Sequence, residues 1–209
     1  MARRNDHSRD QIREMAILAA EKIVEDEGPQ ALSTRKIAKA IGYTVGTLYL
    51  VFANLDEIIL QINIRTLEIL YHSTVHGEDP NKDPLDNLFE LGIGYFNCAH
   101  AHTHRWHLFY SKRILPTDAE TLADYRIKYQ SLFDLIEGNL IRAAGGQTQG
   151  EEQLAARVIW SSVHGISELA MREQHSETYS LEQQYEFIKI LISSYVHGWV
   201  ESIKAKTPH

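Results

Sequence analysis

Apolar residues recur along the chain at the spacing of an α-helix, and short polar breaks separate the apolar segments. The first such segment carries Ile12, Met15, Ala16, Ala19, Ala20, Ile23 and Val24. This periodicity predicts an amphipathic helix. Ser8 followed by Gln11 is a capping box that begins it, and Gly28-Pro29 marks its end.

Two short helices are predicted after this break. Ser33 or Thr34 begins the first of them, and Gly42 ends it, because glycine accepts the backbone conformation that closes a helix. Thr44 caps the second, which we expect to run to about Phe52. Two short helices joined by a tight turn are typical of a helix-turn-helix.

The rest of the chain continues in helices. Asn54 caps a helix that we expect to reach about residue 76, and capping boxes stand at Thr117 with Glu120 and at Ser180 with Gln183. The remaining helices are predicted over 85–103, 105–114, 118–144, 151–175 and 181–204. The predicted fold class is all-α with about nine helices. A three-helix helix-turn-helix domain would occupy residues 1–54, and a helical bundle would occupy residues 55–209.

Composition agrees with this fold class and limits the function. Of 209 residues, 44% are hydrophobic, which suits a packed core, and Cys98 is the only cysteine, which excludes an internal disulfide. No apolar run approaches the ~18 residues of a membrane span, so we expect no membrane association and a cytoplasmic protein. The net charge is −7, but residues 1–60 contain eight Lys and Arg against nine Asp and Glu. DNA binding needs only a locally basic face.

The predicted helix-turn-helix has the residue types that contact with DNA requires. Thr44 would leave the first amides of its helix available to a phosphate. Gly46 removes a side chain where the helix would press against the groove wall. Thr47 and Tyr49 offer hydroxyl groups to phosphates or base edges. These features predict double-stranded DNA as a partner.

The segment from Leu32 to Phe52, which includes Gly46-Thr47-Leu48-Tyr49, resembles the TetR family of repressors. The resemblance implies a ligand-responsive repressor that binds a palindromic operator as a homodimer and is not an enzyme. The predicted DNA contacts are Arg3, Arg4, Arg9, Arg35, Lys36, Lys39, Thr44, Val45, Gly46, Thr47 and Tyr49. Val45, Leu50 and Leu55 stand where many family members carry polar or basic residues.

The second half of the chain contains Trp160, His164 and Gly165 in a Trp-x-x-x-His-Gly pattern. This pattern resembles one subgroup of TetR effector domains, which implies a cavity for a small-molecule effector and a homodimer through the last two helices. The candidate cavity residues are Tyr95, Phe96, Phe109, Tyr110, Tyr129, Phe133, Trp160 and His164. The candidate dimer stripes are Leu154, Val158, Ser162 and Ile166 on one helix, and Ile188, Ile192, Tyr195 and Trp199 on the other.

Three alternatives stay open at this stage. On one continuous helix, His100, His104 and His107 would share a face and could ligate a metal, although the resemblance predicts a helix break around His102-Thr103. His164 near Cys98 or a serine could act as a base and nucleophile, but no catalytic motif accompanies them. The chain could also be a helical adaptor that has lost DNA binding. We expect no metal and no cofactor.

Overall fold

The computed structural model describes residues 7–75, 77–111, 119–146, 148, 150–173 and 179–206. These residues form nine α-helices and no strand. The helices are α1 (Arg9–Glu27), α2 (Thr34–Ala40), α3 (Val45–Leu48), α4 (Leu55–Val75), α5 (Pro84–Ala101), α6 (Thr103–Ser111), α7 (Ala119–Ala143), α8 (Glu152–Glu173) and α9 (Leu181–Lys206), with a 3₁₀ turn at Pro29–Ala31. The predicted all-α fold class is confirmed. Among the described residues, no helix has both the length and the apolar character that a bilayer crossing requires.

Local capping signals determine where several helices begin. The Ser8 hydroxyl accepts a hydrogen bond from the Gln11 amide at 3.2 Å, and the Gln11 side chain accepts one from the Ser8 amide at 2.7 Å. The same reciprocal pair forms between Ser180 and Gln183 at the start of α9. Both capping boxes are therefore confirmed. The third, at Thr117, lies outside the described residues.

The second helix of the helix-turn-helix is shorter than the sequence suggests. α3 ends at Leu48, and the amides of Leu50 and Val51 donate to carbonyls only three residues back, at 3.2 and 3.0 Å. This tighter turn brings Phe52 into the core, where its side chain is buried. The end predicted at about Phe52 was therefore wrong, because the amides of Leu50 and Val51 bond to carbonyls three residues back in place of four.

The chain divides into two compact units. The described residues of Met1–Glu68 and His102–Lys128 form unit 1, and those of Ile69–Ala101 and Tyr129–His209 form unit 2. The core of unit 1 joins α1, α2, α3, the first part of α4 and α6 through apolar side chains that include Ala16, Ile37, Leu48, Ile62 and Leu108. The division predicted after residue 54 stays a prediction about functional domains.

Ion pairs link the helices of unit 1, and the pair between Arg105 and Glu21 has little solvent exposure. Arg105 on α6 donates to Glu21 at 3.0 Å and to Glu25 at 2.6 Å, both on α1. Arg65 on α4 donates to Glu21 at 3.2 Å and to Glu14 at 2.6 Å. The side chains of Arg105 and Glu21 are only 7% and 9% exposed. Glu21 is thus a buried carboxylate shared by two arginines, which offsets its desolvation cost.

Close packing of helices determines the shape of unit 2. A Cβ atom on Gly94 of α5 would lie 2.7 Å from the Ser73 carbonyl oxygen on α4, so only glycine fits there. A Cβ on Gly92 would lie 2.8 Å from Ile188 of α9. The Asn87 side chain completes the contact between α5 and α7 by donating to Asn139 at 3.1 Å.

The close approach of α5 and α9 overturns one sequence expectation. Ile188 and Ile192 are fully buried and Trp199 is 8% exposed, and Gly92 of the same chain lies against both isoleucines. Three of the four residues proposed as the α9 dimer stripe therefore pack inside their own unit. Helical periodicity alone does not distinguish a face that packs within the subunit from one that packs against a second copy.

Candidate DNA-binding surface and effector cavity

α2 and α3 pack into the core of unit 1 through a few apolar side chains. Ile37 and Ala38 of α2 and Leu48 of α3 are buried in its core. Gly42 adopts a positive φ of 75° between the two helices, a conformation that favours glycine. The remaining side chains of α2 and α3 are half-buried or exposed.

The exposed side of α2 is basic. From Gly28 to Leu55 the sequence contains Arg35, Lys36 and Lys39 but no aspartate or glutamate. Arg35 and Lys39 are exposed, whereas the Lys36 ammonium forms an ion pair with Glu27 of α1. Of the three arginines that are predicted to contact DNA ahead of α2, Arg9 is exposed at the start of α1. Arg3 and Arg4 lie outside the described residues.

The exposed side of α3 has a different chemistry, made of hydroxyl and apolar groups. The Thr44 hydroxyl accepts from the Thr47 amide at 3.2 Å and lies 3.0 Å from the Thr47 hydroxyl. The side chain of Tyr49 is 54% exposed, and Gly46 is exposed beside it. Val45 is half-buried because it packs partly against the core. The five residues predicted from Thr44 to Tyr49 are thus all half-buried or exposed in the structure.

Arg13 of α1 holds the turn that follows α3, a role that the sequence analysis missed. Its guanidinium donates to the Val51 carbonyl at 2.7 Å and to Glu57 at 2.6 Å, and it lies 4.4 Å from the centre of the Phe52 ring. Glu57 also accepts from the Ala53 amide at 2.7 Å. No local sequence signal identifies a partner about 40 residues away. Arg13 is therefore a positioning residue for the end of α3.

Unit 2 contains a small apolar cavity. Its volume is about 30 Å³, and its lining residues are Thr74, Leu88, Leu91, Gly92, Tyr95, Leu132, Ile136, Ile159, Trp160 and Val163. This volume is far below the roughly 300–1,000 Å³ of a ligand pocket. A drug-sized ligand would therefore have to displace side chains to enter.

The structure separates the eight candidate cavity residues into three groups. The first group is Trp160 and four neighbours: its ring centre lies 4.8 Å from Tyr95, 5.0 Å from Phe133 and 6.1 Å from Tyr129, and His164 is hydrogen-bonded to Tyr95. Phe96 instead stacks on His100 at 4.0 Å. Phe109 and Tyr110 belong to unit 1, where their ring centres lie 5.0 Å apart. Only Tyr95 and Trp160 line the cavity itself; its aliphatic lining was missed, because helical periodicity marks leucines and isoleucines only as core.

His164 and Cys98, the candidate base and nucleophile, each have another partner in unit 2. His164 Nδ1 lies 3.0 Å from the Tyr95 hydroxyl, and burial lowers the pKa of His164 while Glu168 opposes that shift. Burial raises the pKa of Cys98, against a hydrogen bond with Ser73 that lowers it. A buried thiol with a raised pKa is a poor nucleophile. The chemistry of these residues gives the enzyme hypothesis no support.

The histidine-rich segment is divided between two helices. α5 ends at Ala101 and α6 begins at Thr103, so His100 and His104 do not share a continuous helix. His100 Nδ1 pairs with the Phe96 carbonyl at 2.9 Å, and His104 Nδ1 pairs with the Glu25 carbonyl at 2.8 Å. Within the described part of the chain, no group of three or more His, Cys, Asp or Glu side chains could hold a metal ion.

Two family models match the sequence. Residues 16–62 match the model of bacterial regulatory proteins of the tetR family, and residues 88–200 match the tetracyclin repressor-like C-terminal domain. The second match alone covers more than half of the chain. Among curated proteins, no sequence matches significantly.

Solved structures share the fold at low sequence identity. A protein of unknown function from Rhodococcus sp. RHA1 is 19% identical, with a TM-score of 0.68 over 94% of this chain and 98% of its own. The TetR family transcriptional regulator PfmR from Thermus thermophilus is 16% identical, with a TM-score of 0.62 over 87% and 97%. The fatty acid degradation regulator FadR from Bacillus halodurans is 17% identical, with a TM-score of 0.59 over 90% and 94%. From the two family matches, the chain belongs to the TetR family, and it is a DNA-binding transcriptional regulator.

Proposed function

We propose that the protein is a ligand-responsive repressor whose homodimer binds a palindromic operator. The observation that carries this proposal is the exposed surface of α2 and α3, on which Arg35, Lys39, Gly46 and Tyr49 are all exposed. Lysine and arginine contacts to phosphates supply most of the affinity for DNA, and a helix in the major groove supplies the specificity.

Gly46 supports the approach of a partner at this surface. A Cβ atom added there would meet only the Thr44 hydroxyl, at an ordinary contact distance of 3.6 Å. The fold itself therefore has room for a side chain at this position. A glycine that the fold does not require, on an exposed helix next to Tyr49, is what close contact with a groove wall would favour.

Exposed apolar residues on α8 and α9 support the homodimer. Leu154, Val158 and Leu169 on α8, with Phe187 and Ile190 on α9, are 38–72% exposed. Leu154 and Val158 belong to the predicted α8 stripe, whereas Phe187 and Ile190 take the place of the α9 stripe that proved to be internal. Gly165 and Gly198 lie in the same two helices, and a Cβ on either would meet nothing within 4 Å in its own chain. A dimer would present two copies of α3 to half-sites about one DNA turn apart.

The cavity beside Trp160 is our candidate for the effector site. Its lining is apolar, and the hydroxyl of the lining residue Tyr95 pairs with His164 Nδ1 at 3.0 Å. Such a lining suits an apolar or amphipathic small molecule that enlarges the cavity on entry. An effector of this kind changes operator affinity only if it binds the DNA-bound and free conformations differently.

Operator binding by the full chain tests the proposal. An operator would be selected from random DNA, and its affinity measured by fluorescence anisotropy between 50 and 200 mM salt. A dimer with 6–10 phosphate contacts should lose about 10³–10⁵ in affinity across this range. Lys39→Ala and Tyr49→Ala should weaken binding without lowering the melting temperature, since both side chains are exposed.

Lys22→Ala is the matched control, because Lys22 is an exposed lysine of α1 outside the helix-turn-helix. If Lys22→Ala and Lys39→Ala weakened operator binding equally, the effect would come from net charge and not from a contact between Lys39 and DNA. Sedimentation of the complex should give two chains per palindrome. Selection that enriches no sequence would overturn the proposed function.

A further inference from the structure

The sequence of α3 and its flanking turns lacks the side chains that most often identify bases. No lysine or arginine occurs between Lys39 and Arg65, and no asparagine, glutamine or acid occurs from Gly42 to Ala53. The next side-chain amide along the chain is that of Asn54. Its Oδ1 atom caps α4 by accepting a hydrogen bond from the Glu57 backbone amide at 2.9 Å. The bidentate pairs that read guanine and adenine in the major groove are therefore missing from this segment. Base readout here falls to hydroxyl and apolar groups.

Leu50 is the most exposed apolar side chain of this segment. It is 56% exposed, whereas its neighbours Leu48 and Phe52 are buried at 1% and 3%. Val45 and Val51 pack partly against the core of unit 1, but Leu50 does not. The fold consequently makes little use of the Leu50 side chain.

The backbone around Leu50 is held in place from two sides. The Leu50 amide donates to the Thr47 carbonyl at 3.2 Å. The carbonyl of the next residue, Val51, accepts from Arg13 at 2.7 Å. Leu50 therefore has a defined position directly after Tyr49, on the surface that is proposed to enter the groove.

We propose that Leu50 reads the 5-methyl group of a thymine in each operator half-site. This inference rests on the proposed function. In the major groove only thymine presents a methyl group, and contact between that methyl and an apolar side chain distinguishes thymine from the other bases. The leucine side chain has no hydrogen-bond donor or acceptor, so contact with a guanine or adenine edge would leave base hydrogen-bonding groups without partners.

Replacement of thymine by deoxyuridine isolates this contact, because the substitution removes the methyl group and leaves the base pair intact. Each thymine of the selected half-site would be replaced in turn, symmetrically in both halves, and the affinity of the full-length protein measured. We expect one thymine at which the replacement weakens binding about fourfold per half-site, from the free energy of one buried methyl group. Leu50→Ala should bind the thymine operator more weakly and should show no loss at that same position.

Leu18→Ala is the matched control. Leu18 is a leucine of α1 in the same unit, with a similar exposure of 51%, and its variant should keep the full response to deoxyuridine. Specific binding that no deoxyuridine weakens would overturn the inference while the proposed function stands. So would a Leu50→Ala variant that keeps the wild-type response. If Leu50→Ala fails to fold, the deoxyuridine series on the wild-type protein still overturns the inference when no thymine shows a loss.

Discussion

Different contacts accompany the apolar packing inside unit 1 and inside unit 2. In unit 1, arginines link α1 to α4 and α6 through carboxylates of α1, and Arg13 adds a link from α1 to Glu57. In unit 2, α5 approaches α4 and α9 closely through glycines, and aromatic rings surround Trp160. Ion pairs with hydrogen bonds fix geometry through directional contacts. Packed apolar side chains are less directional and can rearrange around a ligand.

This difference suits the two tasks. A surface that reads DNA requires fixed positions for side chains such as Tyr49 and Leu50, and directional ion pairs provide them. A cavity of about 30 Å³ must enlarge before it holds an effector, which apolar packing permits at a lower cost than the breaking of buried ion pairs. Three predictions test the comparison, from the largest effect to the smallest.

Replacing Arg105 by Met should cause the largest loss of stability. The change leaves Glu21 buried with only Arg65 as a partner. We expect the free energy of unfolding to fall by about 3 kcal/mol, the lower end of the range for a broken buried pair. Urea denaturation followed by circular dichroism measures it.

Arg142→Met in unit 2 is the control for this change. Arg142 is exposed and donates to the carbonyls of Pro80 and Lys82 at 2.8 and 2.6 Å. Its loss should cost only about 1 kcal/mol, because water can replace it. Equal losses from the two variants would contradict the special role of buried ion pairs in unit 1.

Substitution by alanine should change the free energy of unfolding in opposite directions at two glycines of unit 2. Gly94→Ala would place a methyl group against the Ser73 carbonyl, and we expect a loss of about 2 kcal/mol from overpacking. Gly138→Ala in α7 meets nothing within 4 Å and should gain about 0.5–1 kcal/mol from helix propensity. Thermal denaturation of both variants measures the difference. A stabilised Gly94→Ala would show that close packing at α5 is not required.

The smallest effect should be a dependence of stability on pH through His164. Burial lowers the pKa of His164 below its ordinary value of 6.5, so the unfolded chain binds a proton at a higher pH than the folded one does. The stabilisation is complete above pH 6.5 and is lost as the pH falls through the lowered pKa. Comparing the pH dependence of unfolding in wild type and His164→Gln isolates this contribution. An unchanged slope in the variant would assign it to other groups.

Local signals predicted much of the secondary structure. The capping boxes at Ser8 and Ser180 form as expected, because each requires only residues three positions apart. Gly28 and Gly42 adopt the positive φ that helix ends favour. The end of α3 was not predictable in this way, since it depends on the burial of Phe52 and on Arg13 from α1.

The candidate sites were predictable to different degrees. The helix-turn-helix residues are contiguous in sequence, so the motif places them together wherever the fold allows. The cavity residues come from four helices, and periodicity could not show which aromatic rings adjoin Trp160 or that Phe109 belongs to unit 1. The α9 stripe failed for the same reason, because Ile188 and Ile192 face α5 of their own chain.

The sequence by itself determined the all-α class, the helix starts and the helix-turn-helix, because these depend on side chains within a few residues of each other. It also determined that α3 carries no cation, since that is a matter of residue type alone. Only the tertiary structure decided which arginines pair with the buried Glu21 and which aromatic rings adjoin the cavity. It also decided that Leu50 is exposed. Those outcomes depend on contacts between residues tens of positions apart, which only packing brings together.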